Sequence, residues 1–155
     1  MGGNDMTRPD ASAVIKGSSE YPGISGIVDF YRSDKGTVVS VSIKGLPHLK
    51  RPCTSRFFGF HIHEGGACEG DKNDPFAKAM AHFDKGDCDH PYHSGDLLPL
   101  PGAGEYGIMS FLTDRFSVDD IIGRTVIIHE KPDDLTTQPS GNAGKKIACG
   151  VIKAL

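Results

Sequence analysis

The sequence predicts an all-β domain of about eight short strands, folded as a β-sandwich or flattened barrel with two long loops. Turn chemistry is the first observation: 155 residues carry 20 Gly and 10 Pro, with few long runs of helix formers. Alternation of apolar and polar residues in several short segments is the second, the pattern of strands with one buried face. The third is a pair of stretches, residues 64–100 and 130–146, that carry no period and are punctuated by Gly, Pro and Asp.

The length suits one domain over residues 1–155, with enough chain to bury a core. A net charge of −3 gives no reason to expect nucleic acid or an anionic membrane as a partner. No segment approaches the roughly 20 apolar residues of a membrane span. The start Met1-Gly2-Gly3-Asn4-Asp5 lacks the apolar core of a signal peptide, so the expectation is a cytoplasmic protein or one whose signal has been removed.

Residues 1–11 show no periodicity and are expected to form a loose end. Ala13-Val14-Ile15 opens the first apolar segment. Ile24, Gly26, Val28 and Phe30 alternate with Ser25, Ile27, Asp29 and Tyr31, and Val39, Val41 and Ile43 alternate with Ser40 and Ser42. With Ser33-Asp34-Lys35-Gly36 as the turn, residues 23–44 read as a β-hairpin. Phe57 to His63 is the next strand, followed by the long loop from Glu64 to about Leu100. Ile108–Leu112 and Gly123–His129 are two more strands. Between them, Ser117-Val118-Asp119-Asp120 resembles a capping box and predicts one helical turn. A second loop, residues 130–146, leads to a last strand at Ile147–Ile152.

Histidine placement carries the chemistry. His61 and His63 are two apart on a strand, so their imidazoles share a face, while Phe58 and Phe60 take the opposite parity. His82, His90, His93 and Asp96 follow in the first long loop, and His129 ends a later strand. Any one of these alone would be read as a surface residue. Six clustered histidines with strand and H-x-x-D spacings are read as ligands, because neutral imidazole is the commonest protein ligand of copper and zinc and Asp completes zinc sites. A cupin-type barrel would place a Glu three or four residues after the His pair, whereas Glu64 follows at once and Glu69 is six away. A purely structural sandwich leaves the clustering unexplained. Composition alone allows the four Cys to be two disulfides or four thiols.

Gly59-Phe60-His61-Ile62-His63-Glu64, His93-Ser94-Gly95-Asp96-Leu97, Ile122 through Glu130, and Gly141-Asn142-Ala143-Gly144 through Ile152 together resemble the copper,zinc superoxide dismutases, over residues 13–153. The resemblance implies a Greek-key arrangement of the strands and an oxidoreductase that converts superoxide, a small anion, to oxygen and hydrogen peroxide. It implies copper held by His61, His63, His82 and His129, and zinc held by His82, His90, His93 and Asp96, with His82 shared between the ions. In that family's mechanism the shared histidine is released with a proton, which makes His82 catalytic. Lys146 stands where the family has an anion-meeting arginine, keeping the charge without the forked donor geometry. Asp133 matches a carboxylate that ties a copper histidine to a zinc histidine, and Cys68 with Cys149 matches an intrachain disulfide. Cys53 and Cys88 are left either as a second bridge or as two free thiols. His48 is left as a solvated surface residue. A homodimer is implied as well.

Several features depart from the family pattern. The loop from His63 to Cys68 is short, as in bacterial members. His90 and His93 are only three apart, Asp84-Lys85 replaces the usual Asn-Pro, and the loop after Glu130 is shortened. The competing functional reading is a copper- or zinc-binding module for storage or delivery, which would keep the ligands without turnover.

Overall fold

A computed structural model describes residues 6–54 and 56–155. Strands β1 (Ala11–Gly17), β2 (Ser25–Ser33) and β3 (Gly36–Lys44) follow one another as antiparallel neighbours. Their alternation does what a period of two requires: Val39, Val41 and Ile43 point inward and are buried, while Ser42 and Lys44 are exposed. Asp34 and Lys35 close the hairpin between the paired residues Ser33 and Gly36. Gly36 sits at φ 138°, and a Cβ there would lie 2.3 Å from the Thr113 carbonyl oxygen, so this turn accepts no side chain.

Four further strands complete the main sheet: β5 (Phe60–His63), β7 (Gly107–Thr113), β8 (Thr125–His129) and β9 (Lys146–Ala154). The order across it is β5-β8-β9-β1-β2-β3-β7, with every pairing antiparallel. The chain therefore leaves β3 near one edge and arrives in β5 at the other, then crosses back between β7 and β8. Phe60 and Ile62 from one edge and Met109 and Phe111 from the other belong to a single apolar cluster, so the sheet is curled. Removing a ring as deeply buried as Phe60 should cost about 3–5 kcal/mol. Two-residue strands β4 (Phe57–Phe58) and β6 (Leu100–Pro101) pair separately and raise the expected count to nine among the described residues. The all-β class holds.

Alternation fails in one place, and that place makes the site. β5 and β8 are buried on both faces. Their inner residues, Phe60, Ile62, Val126 and Ile128, join the core, while His61, His63 and His129 lie beneath the two long loops. The first loop returns along the free edge of β5, where Ile62 N–H donates to Gly95 O (2.9 Å) and Leu97 N–H to Phe60 O (3.3 Å). It is also fastened to β9 by the Cys68–Cys149 disulfide. Phe76, Ala79, Ile127 and Cys149 pack as a small second cluster beside that bridge.

The helical turn is present as α1 (Val118–Ile121), where Ser117 N–H donates to Asp120 Oδ2 at 2.8 Å in a capping box. Two expectations need correction. The N-terminal segment is ordered before residue 11: Asp10 N–H donates to Phe30 O (2.9 Å), Asp10 O accepts from Leu155 N–H (3.0 Å), and Ala11 pairs with Phe30 and Ala154. Closing strands supply acceptors and donors that a local reading of polar residues does not see. The rest of the expected loose end, residues 1–5, lies outside the described residues. Cys53 and Cys88 are exposed free thiols, so the second bridge does not form. Among the described residues, no helix is long and apolar enough to cross a membrane.

Alkylation of the unreduced protein should therefore label Cys53 and Cys88, and Cys68 should be recovered only as a peptide linked to Cys149. Cutting that bridge, which joins residues 81 apart, should lower stability by about 2–5 kcal/mol in denaturant melts. Alkylated Cys68 in unreduced protein would contradict the pairing.

Candidate metal centre

β5 sets the first two imidazoles side by side, and β8 brings His129 opposite them. The β5–β8 ladder pairs His61 with Ile127 and His63 with Thr125, while the separate β8–β9 ladder shifts register between Ile128 and His129, so that His129 pairs with Lys146 at the start of β9. His129 shares the parity of Thr125 and Ile127 and so lies on the same face as His61 and His63, with its ring centroid 5.4 Å from that of His63. His82 comes from the first loop and bridges to His63 in backbone register. Its ring lies 4.0 Å from that of His61 and 4.8 Å from that of His63.

The hydrogen bonds decide which nitrogen each ring leaves free. His63 Nδ1 donates to Met80 O (2.8 Å) and His129 Nδ1 to Gly144 O (3.1 Å). A carbonyl can only accept, so the proton of each neutral ring sits on Nδ1 and the lone pair on Nε2. Those two Nε2 atoms face each other at 3.3 Å. Two lone pairs cannot bond each other, so a cation fits between them. His61 Nε2 donates to Asp133 Oδ2 (2.6 Å), leaving its buried Nδ1 without a partner. His82 Nε2 is likewise buried and unpartnered. Together the four rings offer ligand atoms within 4.8 Å of one another, a group able to hold a metal ion.

A second group of the same kind comprises His82, His90, His93 and Asp96. His82 Nδ1 lies 2.7 Å from Asp96 Oδ1, and the Nδ1 atoms of His90 and His93 each lie 3.0 Å from Asp96 Oδ2 without hydrogen-bond geometry. His90 Nε2 donates to Asp133 Oδ1 (2.8 Å), so this one carboxylate joins the two groups. His82 alone offers a nitrogen to both. Unpartnered buried nitrogens are rare in folded proteins, and here they converge on two points. Three imidazoles with a carboxylate suit zinc, and four imidazoles suit copper.

Electrostatics keep the donors in ligating form. Burial pushes His61 down and His63 well below its ordinary value, and it takes His129 down to about 3, with His61 nearby acting in the same direction. Burial alone would raise the two carboxyls. It is outweighed at Asp133 by hydrogen bonds from His61 and His90, and at Asp96 by the hydrogen bond from His82, so both stay below the usual carboxylate range.

A cavity of about 470 Å³ opens onto His63, His82 and His129, and Lys146, Asp74 and Met80 also line it. The structure thus brings His61, His63, His82, His90, His93, Asp96 and His129 together around Asp133, and Lys146 lines the cavity beside them. His48 is exposed and apart from it, with Nδ1 3.2 Å from Leu46 O. Several supports were not legible beforehand. Arg115 Nη1 donates to Pro91 O (2.7 Å), His93 O (3.3 Å) and Asp96 O (2.9 Å), clamping the contracted loop. Gln138 holds His90 at both backbone groups, accepting from its N–H (2.9 Å) and donating to its C=O (2.6 Å). Asp74, which pairs with Lys146 at 2.7 Å, is the third. Backbone carbonyls leave no trace in residue identity, and only the surplus of Asp in residues 71–89 hinted at the last.

Comparison with known proteins agrees with this geometry. The family profile described as copper/zinc superoxide dismutase (SODC) matches residues 24–152. The chain is 34% identical over 154 residues to a Cu-Zn superoxide dismutase of Deinococcus radiodurans, covering 85% of this chain and 79% of that one. It is 34% identical over 158 residues to Cu-Zn superoxide dismutase A of Xenopus laevis, covering 92% and 95%. Among solved structures, a double mutant of a SOD-like protein from Bacillus subtilis superposes with a TM-score of 0.70 at 30% identity, over 90% of this chain and 94% of that one. The Cu/Zn superoxide dismutase from Brucella abortus shares the fold, with a TM-score of 0.76 at 24% identity over 91% and 98%. With the family profile matched over residues 24–152 and relatives 34% identical over most of both chains, the chain belongs to the copper/zinc superoxide dismutases.

Proposed function

We propose that this protein is a superoxide dismutase, with His61 Nδ1 and the Nε2 atoms of His63, His82 and His129 holding copper, and with His82 Nδ1, His90 Nδ1, His93 Nδ1 and Asp96 holding zinc. The observation that carries the reading is His82: it alone supplies a nitrogen to both groups, and it lines the open cavity. Bound copper supplies the one-electron exchange that takes one superoxide to oxygen and, with two protons, the next to hydrogen peroxide. His82 Nε2 is the atom that takes up a proton when it is not ligating and returns it to the departing product. Asp133 holds His61 and His90 in the tautomers that leave Nδ1 free. Lys146, at the cavity mouth, meets the incoming anion. The partner that the resemblance implies is a second copy of this chain, and the sedimentation coefficient of the metal-loaded protein reads its presence.

Elemental analysis with a dismutation assay tests the reading, and turnover separates it from storage or delivery. His82→Ala should lower both copper and zinc per chain, whereas His93→Ala should mainly lower zinc. Full occupancy of both ions in His82→Ala would remove the shared ligand.

Protons compete with metal for the same nitrogens. An unfolded histidine titrates near 6.5, but folded His129 does so only at about 3. Between those values the unfolded chain binds the extra proton, so the stability this group contributes is full above 6.5 and is lost as pH falls toward 3. His61 and His63 act with the same sign, and Asp96 and Asp133 extend the loss below the ordinary carboxyl value. The melting temperature of chelator-treated protein should fall steadily from pH 7 to pH 4, and a flat profile would contradict the buried neutral rings.

A further inference from the structure

Lys146 is not a free cation. Its Nζ lies 2.7 Å from Asp74 Oδ2 and 3.5 Å from Phe76 O, and its side chain is 16% exposed against 41% for Asp74. The carboxylate is itself held: Asp74 Oδ1 accepts from Phe76 N–H at 3.1 Å, and the Asp74 backbone closes a turn with Asp71 through bonds of 2.9 and 3.0 Å. Lys145 faces a carboxylate more loosely, its Nζ 3.8 Å from Glu20 Oε2 with both side chains exposed. Both acids line the cavity that opens onto His63, His82 and His129. At this mouth two ammonium groups are balanced by two carboxylates, on a chain whose net charge is −3. Steering of an anion needs unbalanced positive charge, and a paired lysine supplies little of it.

We propose that Asp74 is a positioning residue that restrains anion capture: it fixes the Lys146 ammonium beside the cavity, and an entering anion must compete with its carboxylate for Nζ. The proposal rests on the reading of Lys146 given above. It makes the strength of one ion pair, spanning the first loop and β9, the setting that determines how readily small anions enter. Because the pair is partly exposed, salt weakens it together with any long-range attraction, and the parent enzyme should depend little on ionic strength.

The test compares metal-loaded parent, Asp74→Asn and Lys146→Gln at equal copper content, with azide as a small anion probe titrated against the copper absorption. Asp74→Asn keeps the acceptor for Phe76 N–H and removes only the charge. It should bind azide more tightly and dismute superoxide about three- to tenfold faster at low ionic strength, an advantage that added salt abolishes. Lys146→Gln should bind azide more weakly and turn over more slowly. On metal-free protein, acylation of Lys146 by acetic anhydride, read by peptide mass spectrometry, should be faster in Asp74→Asn than in the parent. Azide affinity and acylation unchanged or lowered in Asp74→Asn, with Lys146→Gln weakened as expected, would overturn the restraint and leave the role of Lys146 intact. Azide affinity and rate unchanged in Lys146→Gln would remove Lys146 from the site, and this proposal with it.

Discussion

One carboxylate holds the centre together. Asp133 accepts from His61 on β5 with one oxygen and from His90 in the first loop with the other, while its own backbone belongs to the second loop. Three segments far apart in sequence are thereby fixed to one another, and both imidazoles are committed to one tautomer. Leu135 N–H adds a third donor at 2.7 Å. The space around this carboxylate is equally constrained: a Cβ on Gly141, which sits at φ 71°, would come within 1.9 Å of Asp133 Oδ1 and 2.6 Å of His90 Nε2. The Gly-Asn-Ala-Gly stretch is thus as much a wall of the centre as a turn.

Covering β5 and β8 on both faces has an energetic consequence. The core face is ordinary apolar packing, but the other face buries imidazoles whose ligand nitrogens lack hydrogen-bond partners. Each such nitrogen costs about 1–3 kcal/mol when left unmet. Ions drawn to these two points offset that cost, so metal binding and the stability of the loops are one equilibrium. The Cys68–Cys149 bridge and the Arg115 clamp hold the loops without relying on the ions. The same cover makes His61, His63 and His129 poor bases, which keeps them available as ligands.

At the cavity mouth the design is different. Its charges come in pairs, Lys146 with Asp74 and Lys145 with Glu20, and the neighbouring wall includes Met80 and Tyr21. Chemistry at the centre is set by buried imidazoles whose ligand nitrogens are left free of hydrogen bonds. Access to it is set by half-exposed ion pairs whose strength depends on solution conditions.

How far residue order alone reaches follows from range. Alternation in Val39-Ser40-Val41-Ser42-Ile43 shows a strand because side-chain direction is local, and for the same reason His61-Ile62-His63 shows two ligands on one face. Ser117 and Asp120 announce their helical turn through contacts within one turn. The ligand set and the disulfide were legible through resemblance, since their spacings match a known pattern. Tertiary structure alone decided that Asp10 is tied to Phe30 and Leu155, that Cys53 and Cys88 stay apart, and that Asp74 meets Lys146 across 72 positions of chain. Those outcomes depend on where the curled sheet and two loops bring distant backbone and charge together, and no short-range pattern of residue types carries that information.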